Sequence, residues 1–126
     1  ETHGDFPEAM RTLAKRENVE LVDLNKMSSL LLLYTGMGGS KHLYVHYPMG
    51  TFPWQTKAFE DNTHFTPFGA YELSKLVIQE LKNMKHPLAE HLRDDWTDFI
   101  PYYPDNSAEF YWPQSIFHDG VKPDGN

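Results

Sequence analysis

The chain has 126 residues, of which 40% are hydrophobic, and a formal net charge of −7. This length suits one domain with a packed core. The negative charge argues against a nucleic-acid partner, because it repels a phosphate backbone. Cysteine is absent, which excludes disulfides, a thiol nucleophile and thiolate zinc sites. The longest apolar run, residues 30–34, is too short to cross a membrane, so no membrane partner is predicted.

The first part of the chain predicts a helix followed by a strand. Asp5 and Glu8 have the spacing of a capping box, and the helix should end near Asn18. Its predicted apolar face consists of Phe6, Met10, Leu13 and Ala14. Residues 19–24 are rich in β-branched and apolar side chains and predict a strand. A helix before a strand is typical of an α/β unit with a parallel sheet.

A second helix is predicted after this strand. Asn25 or Ser28 would cap it, and it would run through Leu33 before ending at Gly36, Gly38 and Gly39. The glycines follow the helix rather than precede it, so they do not predict a phosphate loop. Residues 43–46 predict a short strand or a loop edge, and residues 47–60 an aromatic-rich loop.

The strongest functional pattern begins at Asp61, which stands three residues before His64. Thr66 as N-cap and Pro67 at the first helical position predict a helix start directly behind them. In a tight turn, the carboxylate would contact the near ring nitrogen of His64. That contact fixes the tautomer and leaves the far nitrogen free to take a proton. By itself, the spacing is a weak signal, since unrelated surface turns often contain it.

A helix is predicted over residues 67–84. Its apolar stripe would consist of Ala70, Leu73, Val77, Leu81 and Met84 with Leu76 beside it, while Lys75, Gln79 and Lys82 face outward. A short helical turn is predicted at residues 88–92. The composition then changes, because residues 93–126 hold seven acidic and eight aromatic residues. We therefore divide the chain into a domain part, residues 1–92, and an irregular acidic, aromatic-rich extension, residues 93–126.

Other candidate sites are weaker. His42 and His46 are four residues apart, a spacing that binds zinc on a helix, but the residues between them favour extended backbone. Glu60 and Asp61 are adjacent and would not flank a glycosidic bond from opposite sides. No metal site is predicted.

The string Asp-Asn-Thr-His-Phe-Thr-Pro-Phe-Gly-Ala at residues 61–70 resembles the last motif block of the SGNH (GDSL-type) esterases, in particular the rhamnogalacturonan acetylesterase branch. Residues 2–7 and 22–24 are also similar to that branch, and the resemblance spans residues 1 to about 85. It implies an α/β fold: the C-terminal portion of a flavodoxin-like three-layer SGNH hydrolase domain, here with an irregular aromatic-rich tail.

The resemblance implies removal of acetyl groups from a pectic polysaccharide by a Ser-His-Asp triad. His64 would be the general base and then the general acid, and Asp61 would orient it. Trp54 and Thr63 are candidate substrate-binding residues, although Trp54 is as well explained by packing of its loop. No cofactor is implied. A secreted or periplasmic location is expected from the resemblance alone.

The family also needs a serine in a Gly-Asp-Ser block, and a glycine and an asparagine from later blocks, and none of these blocks is in the chain. Since Glu1 rather than Met opens the sequence, we expect the natural start to lie upstream. The expected partner is the missing N-terminal half of the domain, or a second copy of the chain, and the chain alone should be inactive. Two alternatives stay open: another SGNH esterase or lipase-type acyl hydrolase, or a non-catalytic carbohydrate- or protein-binding module.

Overall fold

The computed structural model describes residues 3–113. The elements in chain order are α1 (Phe6–Glu17), α2 (Leu24–Leu43), β1 (Tyr44–Tyr47), β2 (Phe59–Phe65), α3 (Pro67–Asn83) and a 3₁₀-helix (Pro87–His91). Helices combined with a small sheet are compatible with an α/β fragment, as predicted. None of the helices in residues 3–113 is long and apolar enough to span a membrane.

Helix α1 begins after Asp5 and ends near Asn18, as predicted, but its first turn lacks the predicted side-chain cap. Asn18 ends it in the left-handed conformation, at φ 52°. The predicted capping box is wrong, because Asp5 has helix-like backbone angles and its side chain makes no capping hydrogen bond. Glu8 instead pairs with Arg11 at 3.2 Å. The apolar face of α1 is mostly exposed, with Ala14 as its buried member.

The strand predicted at residues 19–24 is wrong. Residues 19–23 have no strand structure, and Leu24 is the first residue of α2. Asp23 caps that helix by accepting from the Lys26 N–H at 3.1 Å, so the predicted Asn25 or Ser28 cap is wrong too. The Asp23 carboxylate also accepts two hydrogen bonds from the Arg11 guanidinium, at 2.7 and 3.1 Å. A strand needs a neighbouring strand to hydrogen-bond with, and residues 19–24 have none within residues 3–113. Helix capping by Asp23 therefore determines the conformation of this segment.

Helix α2 is interrupted near its predicted end and then continues. Gly36 has φ 65° and ψ −179°, values outside the helical region, so the glycine does break the helix. The end predicted there is nevertheless wrong, because the chain resumes helical geometry and α2 extends to Leu43. Leu43 is buried in the core, which stabilises this last part of the helix.

The sheet is an antiparallel pair, so the predicted parallel sheet is wrong for residues 3–113. Tyr44 pairs with Phe65, and His46 pairs with Glu60. Between these two pairs, β1 has one residue, whereas β2 has four, residues 61–64. Strand β2 therefore carries three extra residues, which bulge out of the ladder. Strands that follow each other through a short loop pair antiparallel, as β1 and β2 do.

The start of α3 is fixed against the junction of α2 and β1. Thr66 caps α3 as predicted, its Oγ1 accepting from the Gly69 N–H at 3.0 Å. The same hydroxyl donates to the His42 carbonyl at 2.7 Å, and the Thr66 N–H donates to the Leu43 carbonyl at 3.0 Å. A Cβ on Gly69 would lie 1.9 Å from the Leu43 oxygen, so glycine alone fits there.

The buried face of α3 differs from the predicted stripe. The core consists of Met27, Leu31, Leu43, Phe68, Leu76 and Phe99. Ala70 is exposed, and the rest of the predicted stripe is half-buried. Lys75, predicted to face outward, is buried; its Nζ lies 2.7 Å from both Glu72 Oε1 and Asp105 Oδ2. The reason is that the segment after residue 92 covers this face of α3.

Residues 93–113 form no helix or strand and pack along α3. Phe99 enters the core, and its N–H donates to Gln79 Oε1 at 2.8 Å. Asp98 pairs with Lys82. The division of the chain at residue 92 stays a prediction, and residues 114–126 of the predicted extension lie outside the described residues.

We expect Gly69→Ala to destabilise the chain by about 1–3 kcal/mol, because the new methyl group overlaps the Leu43 carbonyl and must displace α3. Gly38→Ala is the matched control, since a Cβ there meets nothing within 4 Å. It should be neutral or stabilise α2 by up to about 1 kcal/mol. Urea unfolding followed by circular dichroism measures both, and equal effects would contradict the proposed close approach.

Candidate active site

Asp61 and His64 meet within the bulged segment of β2, residues 61–64. The Nδ1 of His64 lies 2.7 Å from Asp61 Oδ2, which confirms the predicted side-chain contact. The prediction placed the pair in a tight turn before the helix, whereas the structure places it within the bulged part of β2. The helix start follows directly, and Thr66 anchors it to the end of α2. Residues 61–64 lie outside the ladder, while Glu60 and Phe65 on either side remain paired with β1.

The carboxylate of Asp61 also shapes the backbone of this segment. Its Oδ1 accepts from the Thr63 N–H at 2.6 Å and the His64 N–H at 2.9 Å. These backbone bonds, together with the His64 side chain, lower the pKa of Asp61 to about 2. Asp61 therefore remains ionised near neutral pH. A group that stays ionised orients the imidazole and stabilises its charged form, and it does not take the proton itself.

The imidazole of His64 is open on its other side. The side chain is 78% exposed, and no group in residues 3–113 hydrogen-bonds to its Nε2. With Nδ1–H donating to a carboxylate, Nε2 carries the lone pair and is able to accept a proton. Chemically, such an arrangement is able to act as a base whose ring is oriented by an ionised carboxylate.

The two candidate substrate-binding residues differ in what the structure shows. Trp54 is 70% exposed and stacks on Phe52, with ring centroids 5.6 Å apart and planes 7° apart. Phe59 lies against the same indole at 6.0 Å. Thr63 contributes its backbone N–H to the Asp61 turn, and its exposed side chain lies beside the dyad in sequence. Their roles in binding stay predictions.

The sequence analysis did not predict the contact between His46 and Asn62. His46 on β1 places its Nε2 2.8 Å from Asn62 Oδ1, within the bulged segment. The pairing depends on the β1–β2 register, which the sequence does not display. Among the described residues, no group of three or more His, Cys, Asp or Glu side chains could hold a metal ion. Residues 61–64 thus have a polar side-chain contact with β1 as well as the hydrogen bonds within the segment.

Two curated proteins of Bacillus subtilis (strain 168) are similar to this chain. Rhamnogalacturonan acetylesterase RhgT is 37% identical over 91 residues, which are 72% of this chain and 39% of RhgT. Probable rhamnogalacturonan acetylesterase YesY is 36% identical over 92 residues, 71% of this chain and 38% of YesY. The predicted resemblance to this branch is thereby confirmed.

The chain is a partial-length relative of the rhamnogalacturonan acetylesterases. It spans about two fifths of the length of these curated relatives. No protein-family profile matches the chain. No solved structure matches it either. Because the match covers only part of the acetylesterases, we treat the activity of the whole enzyme as a proposal.

We expect the Asp61 carboxyl to titrate near pH 2 rather than at its ordinary value of 3.8. Because folding lowers this pKa, the ionised carboxylate stabilises the turn above about pH 4, and the stabilisation is lost as the pH falls toward 2. In His64→Ala the pKa should rise but stay below 3.8, since the two backbone donors remain. Carbon-detected NMR titration measures it.

Asp95 is the internal control for that titration. Arg93 lowers its pKa independently of His64, so the Asp95 titration should not change in His64→Ala. An Asp61 titration at the ordinary value in the unsubstituted chain would show that the turn is absent in solution.

Proposed function

We propose that this chain supplies the general base and the orienting acid of a Ser-His-Asp esterase that removes acetyl groups from rhamnogalacturonan. The observation that carries the proposal is the 2.7 Å contact between His64 Nδ1 and Asp61 Oδ2, with the second ring nitrogen open. The similarity to two acetylesterases supports the reaction class and the substrate.

The proposed mechanism follows from the protonation states of His64 and Asp61. His64 Nε2 takes the proton of a serine hydroxyl as that oxygen attacks the acetyl carbonyl. The imidazolium that forms keeps its Nδ1–H on the ionised carboxylate of Asp61. It then gives the Nε2 proton to the leaving sugar oxygen. Water, activated in the same way, releases acetate from the acyl-serine and regenerates the base.

The serine and the oxyanion-hole donors would come from outside this chain. Four of the chain's serines already donate to carbonyls of their own helices. They are Ser28, Ser29, Ser40 and Ser74. The chain spans about two fifths of RhgT, which leaves room for the nucleophile in the remainder. The chain alone is therefore proposed to be inactive.

The rest of the enzyme would also cover apolar surface. Large hydrophobic side chains of α1 and α2 are exposed: Phe6, Met10, Leu13, Leu33, Tyr34 and Met37. Surface of this kind fits burial under further layers of a three-layer SGNH domain, contributed by the N-terminal part or by a second copy of the chain. A polysaccharide substrate would place the complete enzyme in the periplasm or outside the cell.

The decisive experiment restores the missing parts by replacing the matched segment of RhgT with the corresponding residues of this chain. The chimera should hydrolyse an aryl acetate and release acetate from acetylated rhamnogalacturonan. His64→Ala should lower kcat about 10²- to 10⁴-fold, because proton transfer to and from the serine is lost. Asp61→Asn should lose about as much or somewhat less.

The matched control is His42→Ala, which removes another exposed imidazole close to the site. The His42 carbonyl that accepts from Thr66 is retained, so the helix start stays fixed. Near-normal hydrolysis by His64→Ala would overturn the proposal. Release of longer acyl chains in place of acetate would favour another SGNH acyl hydrolase.

Trp54 is proposed to offer its exposed ring face to a sugar, with Thr63 beside the dyad. Trp54→Ala in the chimera should raise KM for the polysaccharide more than for an aryl acetate, because the small substrate does not reach the indole. Phe59→Ala is the comparison, since Phe59 is less exposed and packs against Trp54. Equal KM changes for both substrates would mean that Trp54 only packs its loop.

A further inference from the structure

The bulged segment 61–64 has a side-chain contact with β1 that the catalytic proposal does not use. His46 pairs with Glu60 in the strand register, and its Nε2 reaches across to Asn62 Oδ1 at 2.8 Å. Asn62 follows Asp61 directly and precedes Thr63, whose N–H donates to Asp61. The contact therefore holds the middle of the segment that carries the dyad.

We propose that His46 is a positioning residue for the Asp61–His64 dyad, and that it acts through Asn62. The inference rests on the proposed function, because it concerns the same site. The two ends of the segment are fixed by the ladder at Glu60 and by Thr66 on α2. Between those ends, the bonds of Asp61 lie within the segment itself. The His46–Asn62 bond ties that middle part to another strand.

The chemistry of the contact distinguishes the two histidines. Asn62 Oδ1 accepts, so His46 must carry a hydrogen on Nε2, as the neutral Nε2–H tautomer and the imidazolium both do. His64 has the opposite requirement, because its Nε2 must be unprotonated to act as a base. His46 therefore serves as a donor, and a glutamine in its place would offer an N–H at a similar reach.

Loss of this donor should loosen the segment without unfolding the chain. The low pKa of Asp61 depends chiefly on the backbone N–H groups of His64 and Thr63, which both donate to one oxygen. Freed from β1, the segment would sample arrangements in which those bonds are longer. The global core of α2 and α3 does not include His46 or Asn62. Local geometry should thus change while the unfolding midpoint stays nearly constant.

The test on the 126-residue chain is an NMR titration of the Asp61 carboxyl. His46→Ala and Asn62→Ala should each raise its pKa from about 2 toward the ordinary value of 3.8, and the double variant should raise it no further, because both single substitutions remove the same bond. His46→Gln should restore the original value, and His42→Ala should leave it unchanged. In the RhgT chimera, His46→Ala should lower kcat about tenfold with KM for an aryl acetate unchanged, and His46→Gln should recover most of the rate.

The outcomes separate this inference from the proposed function. A pKa of Asp61 and a kcat that both stay unchanged in His46→Ala would overturn the positioning role and leave the dyad intact. Failure of His46→Gln to restore either quantity would also overturn it, since the donor would then not be what matters. Near-normal turnover of His64→Ala would instead contradict the proposed function, whatever His46 does.

Discussion

The close approach of α3 to Leu43 is the constraint on which the candidate site depends. Gly69 leaves no room for a side chain there, and Thr66 bonds to two consecutive carbonyls at the end of α2. The chain enters α3 directly from the bulged segment of β2, so this junction also fixes where that segment ends. Backbone packing and backbone hydrogen bonds therefore fix the position of the Asp61–His64 dyad, and burial of the dyad contributes little.

A pair of side chains at the surface can still be well ordered if its carboxylate accepts hydrogen bonds from several donors. Asp61 accepts from two backbone N–H groups and from the imidazole, and these bonds lower its pKa by more than desolvation raises it. The remaining part of the proposed enzyme would lower the local dielectric and strengthen these bonds further. Under the proposed function, this pair would be organised in advance for a serine that the rest of the enzyme supplies.

Sequence reasoning succeeded where the signal is local. The Thr66 cap, the Asp61–His64 contact and the end of α1 at Asn18 each depend on residues within three or four positions. It failed where contacts between segments distant in the sequence determine the structure. The stretch 19–24 has strand composition but no neighbouring strand among the described residues. Lys75 fits an exposed face by periodicity, yet residues 93–113 cover it and supply Asp105 as its partner. Asp23 is a recognisable cap residue, whereas the His46–Asn62 contact follows from a register that no local pattern reveals.

The central claim is that Asp61 holds His64 with Nδ1 protonated and Nε2 free to accept a proton. The ¹⁵N chemical shifts of the neutral His64 ring, measured in the 126-residue chain, report the tautomer directly. We predict a protonated, pyrrole-type Nδ1 and an unprotonated, pyridine-type Nε2. A neutral ring with its hydrogen on Nε2 would contradict it, because His64 would then present a donor where catalysis needs a base.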